Sequence, residues 1–414
     1  MKSVEEILQA ARTAKYEFSR MVVDAQKASL EMMDVMLRKH KVEILEANGQ
    51  DLTNAKGKIP DVMLDRLRLT SERIDEMASG LRAVANLDGP VPDIEKEYPL
   101  DNGLYIRKVR VPMGVIAIIY ESRPNVTTDA AALCLRSGNV CVLRGGSEAI
   151  NTNKVLVKIM RQALAKAGGP PDAVQLVEDT THESARALME ARGYVDLLIP
   201  RGGKGLIKAV VEGARGVPVI ETGSGICHIY VDAKANLEMA DRILYNAKVQ
   251  RPSVCNAAEV CLVHKDVAEE FLPLAAKHLK EAGVELRLDE RAAKIIEGRA
   301  AGPEDFDTEF NDYILAIAVV DNLRQAIDHI NDHSTGHSEA IISDDTSNAQ
   351  EFALLVDSAA VYINASTRFT DGGQFGMGCE IGISTQKLGA RGPMGLYELT
   401  SYKYVISGNG AIRE

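Results

Sequence analysis

Apolar residues in the first 90 positions recur at steps of three and four, as in 29-SLEMMDVMLRKHKVEIL-45 and 62-VMLDRLRLTSERIDEMASGLRAVANL-87. That period puts them on one helical face, so the spacing predicts helix throughout residues 1–90. The pattern breaks at 88-DGPVPDIEKEYP-99, where prolines and acids make a linker-like turn region. After it, 103-GLYIRKVRVPMG-114 reads as a candidate strand pair with charges on one side.

From residue 115 the texture changes. Short apolar runs (115-VIAIIY-120, 140-VCVL-143, 174-VQLVE-178, 195-VDLLI-199 and 217-VPVI-220) alternate with helix-period segments such as 126-VTTDAAALCLRSG-138 and 150-INTNKVLVKIMRQALAKAG-168. Continuously apolar strands, each followed by a helix, imply a parallel sheet covered on both faces, here of the dinucleotide type. A second such series follows residue 223: 228-HIYV-231, 259-EVCLVH-264, 284-VELRL-288, 314-ILAIAVV-320, 338-SEAIIS-343 and 359-AAVYIN-364. The expected fold class is α/β, with two doubly wound parallel-sheet domains. A late strand, 403-KYVIS-407, has no helix after it, and so open an edge favours pairing with another subunit.

Composition narrows the function classes. With 48 basic against 59 acidic residues the net charge is −11, and the basic side chains are scattered, which argues against nucleic acid or an anionic membrane as partner. The apolar runs are far too short to span a bilayer, and the N-terminus carries early glutamates and no apolar signal core. Six cysteines without paired spacing suit a reducing cytosol, so a cytoplasmic enzyme is expected.

Ligands of open parallel sheets bind beyond the carboxyl ends of the strands. Two runs end there in glycine turns with a basic residue, 144-RGGSE-148 and 200-PRGGKG-205. Each opens a helix whose unpaired N–H groups favour phosphate. Neither is a G-x-G-x-x-G fingerprint, and either alone is equally well a tight turn; together they favour a dinucleotide. Arg144 stands where an NAD unit often carries an acid, and a cation there better suits the extra phosphate of NADP.

Among the thiols, Cys134, Cys141 and Cys261 lie in apolar segments and read as packing. Cys227 follows 221-ETGSG-225 and either lines a cleft or packs in a strand, and Cys379 sits ambiguously in a glycine-rich loop. Cys255, in 250-QRPSVCNAAE-259, is expected at a turn entering a short helix. A thiol at a helix N-terminus with an arginine nearby can act as thiolate; spacing alone leaves it a nucleophile or a packed sulfur. His329, His333 and His337 fall four apart, but 334-STG-336 breaks the helix, so no metal centre is expected.

The blocks 119-IYESRPNVTTDAAALCLRSGN-139, 250-QRPSVCNAAE-259, 333-HSTGHSEAI-341 and 363-NASTRFTDGGQFGMGCEIGIST-384 carry a resemblance that extends over essentially the whole chain. In them the chain resembles the aldehyde dehydrogenase superfamily and, within it, the family of gamma-glutamyl phosphate reductases. The resemblance implies an NADP-binding domain at 1–97 and 112–223, a catalytic domain at 224–395, and oligomerisation strands at 98–111 and 396–414 serving a dimer or tetramer. Cys255 matches the catalytic cysteine. Glu221, 34 residues earlier (255 − 221), matches the glutamate that activates water in aldehyde oxidation. Arg144, with Gly145 and Ser147, matches the adenosine end of the cofactor site. The 201-RGGKG-205 turn (Arg201, Gly202, Gly203) matches the diphosphate loop, Thr222 and Gly223 join the cofactor residues, and Glu309 matches the nicotinamide-ribose ligand.

The superfamily's oxyanion asparagine counts onto Glu121, so Asn125 or Asn256, or the backbone N–H of Cys255, is expected to replace it. The implied reaction is NADPH-dependent reduction of L-glutamyl 5-phosphate to L-glutamate 5-semialdehyde through a cysteine thioester, the second step of proline biosynthesis. Phosphate and carboxylate recognition is expected from Arg123, Arg251, Ser253, Arg368, Asp371 and Gly372, with domain-interface ion pairs as the rival reading of the arginines. A thioester enzyme must avoid wasting its intermediate on water, so Glu221 is expected to relay a proton or support the cofactor. Association with glutamate 5-kinase would shelter the unstable acyl phosphate. The rival functions are another NAD(P)-dependent aldehyde dehydrogenase, CoA-acylating among them, and a non-catalytic NADP-binding protein.

Overall fold

Ser3 accepts from the N–H of Glu6 while the Glu6 carboxylate takes the N–H of Ser3, a capping box that starts α1 (Val4–Phe18). In the computed structural model, which describes residues 2–413, four further helices follow: α2 (Val23–Lys39), α3 (Lys41–Ala55), α4 (Asp61–Leu67) and α5 (Ser71–Ala85). The three-four periodicity is their buried stripe, with Leu30, Met33, Leu37, Ile44, Ile74 and Leu81 out of solvent.

Next come β1 (Ile94–Pro99), β2 (Tyr105–Pro112), β3 (Val115–Tyr120), α6 (Pro124–Arg136), β4 (Val140–Arg144), α7 (Ile150–Lys166), β5 (Val174–Leu176), α8 (His182–Met189), β6 (Leu197–Arg201) and α9 (Lys204–Gly213). Strands β5-β4-β3-β6 form a parallel sheet, and β3 is buried at every residue because helices cover both faces. The strand expected at 195–199 starts at Leu197 and runs to Arg201. The run 217–220 is not a strand. Pro218 has no N–H to give, and the segment makes one isolated bridge, Leu198 to Val219.

The second parallel sheet is built from β7 (Cys227–Val231), β8 (Ala258–His264) after α10 (Leu237–Val249), β9 (Glu285–Leu288) after α11 (Lys265–Glu281), then β10 (Arg299–Ala300), β11 (Ile314–Val320), β12 (Ser338–Ile342) after α12 (Leu323–His333), and β13 (Ala360–Ile363) after α13 (Thr346–Leu355). Its order is β10-β9-β11-β8-β7-β12-β13. Alternate residues serve two cores. Ile229, Cys261, Val263 and Ile317 pack with Leu244 of α10 and Phe271 and Leu279 of α11. Tyr230, Val260, Leu262 and Ala316 pack with Ile327 of α12 and Phe352 of α13. Each such large side chain contributes about 1.5–3 kcal/mol of burial. A short ladder, β14 (Ile383–Ser384) with β15 (Gly392–Pro393), follows.

The last strand, β16 (Thr400–Ser407), pairs antiparallel with β2, whose other edge carries β1. The expected linker at 88–99 therefore ends in a strand. It was hidden because β1 is almost wholly exposed and its acids leave no apolar alternation to read. Two compact units result: Met1–Thr222 with Gly376–Gly382 and Met394–Glu414, and Gly223–Phe375 with Ile383–Pro393. Among the described residues no helix is long and apolar enough to cross a membrane.

Candidate active site

In the second unit Cys255 lies in the turn joining α10 to β8, half-buried. The short helix expected after it does not form: residues 255–257 stay in a turn, and β8 starts at Ala258, pairing with β7 from there and with β11 from Val260. The thiol is thus held by a turn rather than a helix N-terminus. Its peptide is fixed from one side by the 225–227 segment. A Cβ at Gly225 would fall 1.5 Å from the carbonyl oxygen of Cys255, so only glycine permits that approach. The Cys227 thiol donates to the same oxygen at 3.2 Å. Gly225 in turn donates its N–H to Glu309 Oε1 at 2.9 Å.

The following residue fixes the other side. Thr367 Oγ1 donates to the carbonyl of Asn256 at 2.7 Å, and Asn256 Nδ2 donates to the carbonyls of Thr370 at 2.9 Å and Arg368 at 3.4 Å. Asn256 Oδ1 accepts from Arg368 Nη1, while Arg368 Nε donates to Gln250 Oε1 at 3.1 Å. Both ends of the Asn256 carboxamide are therefore engaged in bracing Arg368. Burial, and then the like charge of Arg251, pull the Arg368 guanidinium below its ordinary pKa, while Cys255 and Asp371 favour its charge. Arg251 is exposed, Ser253 half-buried and Gly372 buried; Asp371 accepts the N–H groups of Gly373 and Gln374 in a turn. The structure gathers Cys255, Asn256, Arg251 and Arg368 around one anion-ready turn.

Burial raises the pKa of Cys134, Cys227, Cys261 and Cys379. Of the histidines, His333 ends α12 with Nδ1 2.9 Å from Asp307, and His337 is buried beyond the helix. Among the described residues no group of His, Cys, Asp and Glu is arranged to hold a metal ion.

The first unit carries the glycine turns. Gly203 is the N-cap of α9, extended and without a side-chain cap, and nothing crowds the place of its missing Cβ. Its N–H donates to Glu121 Oε2 at 3.0 Å, and the same carboxylate oxygen lies 2.5 Å from where a Cβ of Gly202 would be. Arg201 closes β6, and Thr222 Oγ1 donates to the carbonyl of Pro200 at 3.3 Å. At the other turn Arg144 Nη2 donates to the carbonyls of Thr180 and Thr181, its pKa lowered by burial against the pull of Glu148 and Asp179. Gly145 is packed against Asn153, whose Nδ2 lies 2.3 Å from the place of a Cβ. Ser147 is exposed.

Glu148, not anticipated from the sequence, accepts from both the N–H (2.7 Å) and the hydroxyl (2.5 Å) of Ser122, tying that turn to the end of β3. Ser122 sits at φ 30, a left-handed value that a serine adopts only when held. Asn125 is exposed and donates to Asp129 at 3.0 Å, and Arg123 is the N-cap of α6. Glu221 is half-buried in the loop after the Val219 bridge. Gly223, opening the second unit, donates to the carbonyl of Ile383 at 2.9 Å.

The aldehyde dehydrogenase family model matches residues 1–295 and 306–405. The gamma-glutamyl phosphate reductase of Streptococcus sanguinis (strain SK36) is 55% identical over 421 residues, covering 100% of each chain. A crystal structure of gamma-glutamyl phosphate reductase from Thermotoga maritima, 45% identical and covering 100% of each chain, superposes with a TM-score of 0.97. The propionaldehyde dehydrogenase of Rhodopseudomonas palustris shares the fold at 18% identity, with a TM-score of 0.71 over 99% of this chain and 98% of that one. Two parallel sheets, the small antiparallel sheet and these matches lead to one conclusion: the chain belongs to the aldehyde dehydrogenase family and, within it, to the gamma-glutamyl phosphate reductases.

Proposed function

We propose that this chain reduces L-glutamyl 5-phosphate to L-glutamate 5-semialdehyde and phosphate with NADPH, the second step of proline biosynthesis from glutamate. The observation that carries the reading is the turn that presents Cys255 beside Arg251 and Arg368. The Cys255 thiolate attacks the acyl carbonyl, the bond to the phosphate oxygen breaks, and a thioester remains. Arg251 and Arg368 receive the departing phosphate, a planar guanidinium being matched to its oxygens. The Asn256 side chain is engaged in bracing Arg368, so the oxyanion role falls to main chain, with the Asn256 N–H as its donor. When bound, NADPH would supply hydride to the acyl carbon. Cys255 holds that carbon as the thioester, and the tetrahedral alkoxide formed on it re-forms the carbonyl as the carbon–sulfur bond breaks, releasing aldehyde and the Cys255 thiolate.

The first unit fits an anionic dinucleotide. The uncrowded Gly203 N–H at the start of α9 already accommodates an anionic oxygen, that of Glu121. Within this unit Arg201, Gly202, Gly203 and Thr222 would hold the diphosphate, and Arg144, Gly145 and Ser147 the adenosine end. Glu221 supports this site and is not an efficient hydrolytic base, since activated water would consume the thioester; Glu221→Ala should slow turnover without abolishing it. Ser253, Asp371 and Gly372 complete substrate recognition within the second unit. The exposed edge of β16, with Tyr402, Tyr404 and Ile406, pairs with a second copy, and the acyl phosphate arrives from an associated glutamate 5-kinase.

The test is the reverse assay: semialdehyde oxidation by NADP or NAD with phosphate, arsenate, CoA or water as acceptor. Phosphate or arsenate should be required, NADP should be preferred, and Cys255→Ala should lose at least ~10³-fold. Oxidation that runs on CoA or on water alone, or that survives the loss of the thiol, overturns the reading.

A further inference from the structure

The loop that carries Cys255 is closed by a buried ion pair. Lys248, the penultimate residue of α10, donates from Nζ to Glu259 Oε2 at 2.6 Å, and both side chains are 0% exposed. Glu259 is the second residue of β8, so the pair brackets residues 249–258, which hold Arg251, Ser253 and Cys255. Burial lowers the pKa of the ammonium and raises that of the carboxyl, and each group is kept charged chiefly by the other. Apolar residues of the same size would serve stability as well or better. The pair therefore asks for another role.

That role lies in the second carboxylate oxygen. Glu259 Oε1 accepts the N–H of Asn311 at 3.1 Å. Asn311 holds a left-handed φ of 55 in the 309–311 segment, and two residues before it Glu309 Oε1 takes the N–H of Gly225. Gly225 in turn lies against the Cys255 carbonyl, which also accepts from the Cys227 thiol. The contacts form a closed circuit within one unit. It leaves the ends of the nucleophile loop at Lys248 and Glu259, runs through the 309–311 segment, and returns through Gly225 to the Cys255 carbonyl.

We infer that Lys248 and Glu259 are positioning residues, which fix the Cys255 peptide by holding the 309–311 segment and, through Glu309, the Gly225 backbone against it. The inference rests on Cys255 being the nucleophile.

Two double variants separate positioning from packing. Lys248→Met/Glu259→Met removes the charges and the acceptor for the Asn311 N–H, whereas Lys248→Met/Glu259→Gln removes the charges and keeps an acceptor oxygen. Activity in the reverse assay is expressed per mole of folded protein, taken from the native fraction in urea unfolding. The Met/Met variant should lose about 10–100-fold in kcat, with KM for the semialdehyde within about threefold of wild type. The Met/Gln variant should recover to within about fivefold of wild type. Wild-type kcat in Met/Met, or equal impairment in Met/Gln, overturns the inference. If neither folds, amide exchange on the wild-type protein decides. The Asn311 N–H should exchange at least ~10²-fold more slowly than an open amide, and exchange at the open rate sinks the circuit. An active Cys255→Ala enzyme would instead sink the nucleophile assignment, whatever the double variants do.

Discussion

The two units prepare their chemistry by different means. In the first, what is offered to a ligand is main chain: the Gly203 N–H at the start of α9, with space left by a missing side chain. In the second, one side chain is aimed by bonds from far along the sequence, since Glu309, Thr367, Arg368 and Thr370 all act on residues 225–256. A backbone anion site is complete in five or six consecutive residues, as P-loop-like turns are. A positioned thiol is complete only when the sheet is. The first should tolerate changes at a distance, and the second should not.

The sharpest way to break that contrast is Gly225→Ala. The added methyl would lie 1.5 Å from a backbone oxygen, which cannot swing aside as a side-chain tip would. The Cys255 peptide must move, and a displacement of about 1 Å at a reacting group costs ~10²-fold in rate. Reverse-assay kcat should fall by that order while NADPH binding to the first unit, followed by fluorescence, stays within about twofold. The same methyl at Gly203 meets no protein atom within 4 Å, so its effect should fall on NADPH binding and leave the Cys255 peptide in place.

Arg368→Met comes next. It removes a guanidinium braced on Asn256 and Gln250, and leaves the carboxamide of Asn256 half-satisfied. Loss of one charge-assisted contact to phosphate is worth about 1.5–3 kcal/mol, so kcat/KM should fall about 10–100-fold. The apparent KM for inorganic phosphate in the reverse assay should rise. An unchanged phosphate KM would return Arg368 to the role of a structural ion-pair partner.

How much of this was legible follows the same division. The runs 115–120 and 314–320 announce strands because both faces are buried, and the 144–148 and 200–205 turns announce themselves by paired glycines. By contrast β1, exposed along its length, carried no pattern, and 217–220 carried an apolar pattern without the N–H groups to make a strand. Around Cys255 the small residues suggested a helix, because nothing local says that β7 will claim Ala258 and β11 Val260 onward. Glu259 had one readable sign: an acid inside the otherwise apolar 258–263, with a lysine at the end of the preceding helix. Glu121, Glu148 and Gln250 gave none, since their partners lie in other segments.

The units should also answer pH with opposite signs. Burial pushes Asp129 up to about 6, against the help of Asn125 and Arg201 and with Glu380 adding to the rise. The folded first unit then binds a proton that the unfolded chain, at 3.8, has lost, so stability falls as pH rises from about 4 to 6. In the second unit burial, with His228 and His333, lowers His329 to about 3, against the pull of Asp307. The unfolded chain takes that proton first, at 6.5, so stability falls as pH drops below 6.5. Both side chains keep an exposed edge, so screening holds each effect to the order of 1 kcal/mol. In urea titrations Asp129→Asn should gain on wild type more at pH 6.5 than at pH 4, and His329→Gln more at pH 4.5 than at pH 7. Parallel pH slopes in the two variants would remove the contrast.

The smallest effect concerns the backbone site itself. The Glu121 carboxylate accepts from the N–H of Gly203, which a cofactor diphosphate would need, and its negative charge stands at the positive end of α9. An incoming diphosphate must displace it or share the turn with it. Glu121→Ala should therefore tighten NADPH binding by about three- to tenfold, the equivalent of ~1 kcal/mol, with the gain shrinking at high salt as like-charge repulsion is screened. Fluorescence titration at low and high ionic strength reads both. A weaker Kd in the variant would mean that Glu121 organises the Gly202–Gly203 turn instead of competing for it. The first unit would then depend on a distant side chain as the second does, and the division between a site written locally and a site written by the whole sheet would narrow to a difference of degree.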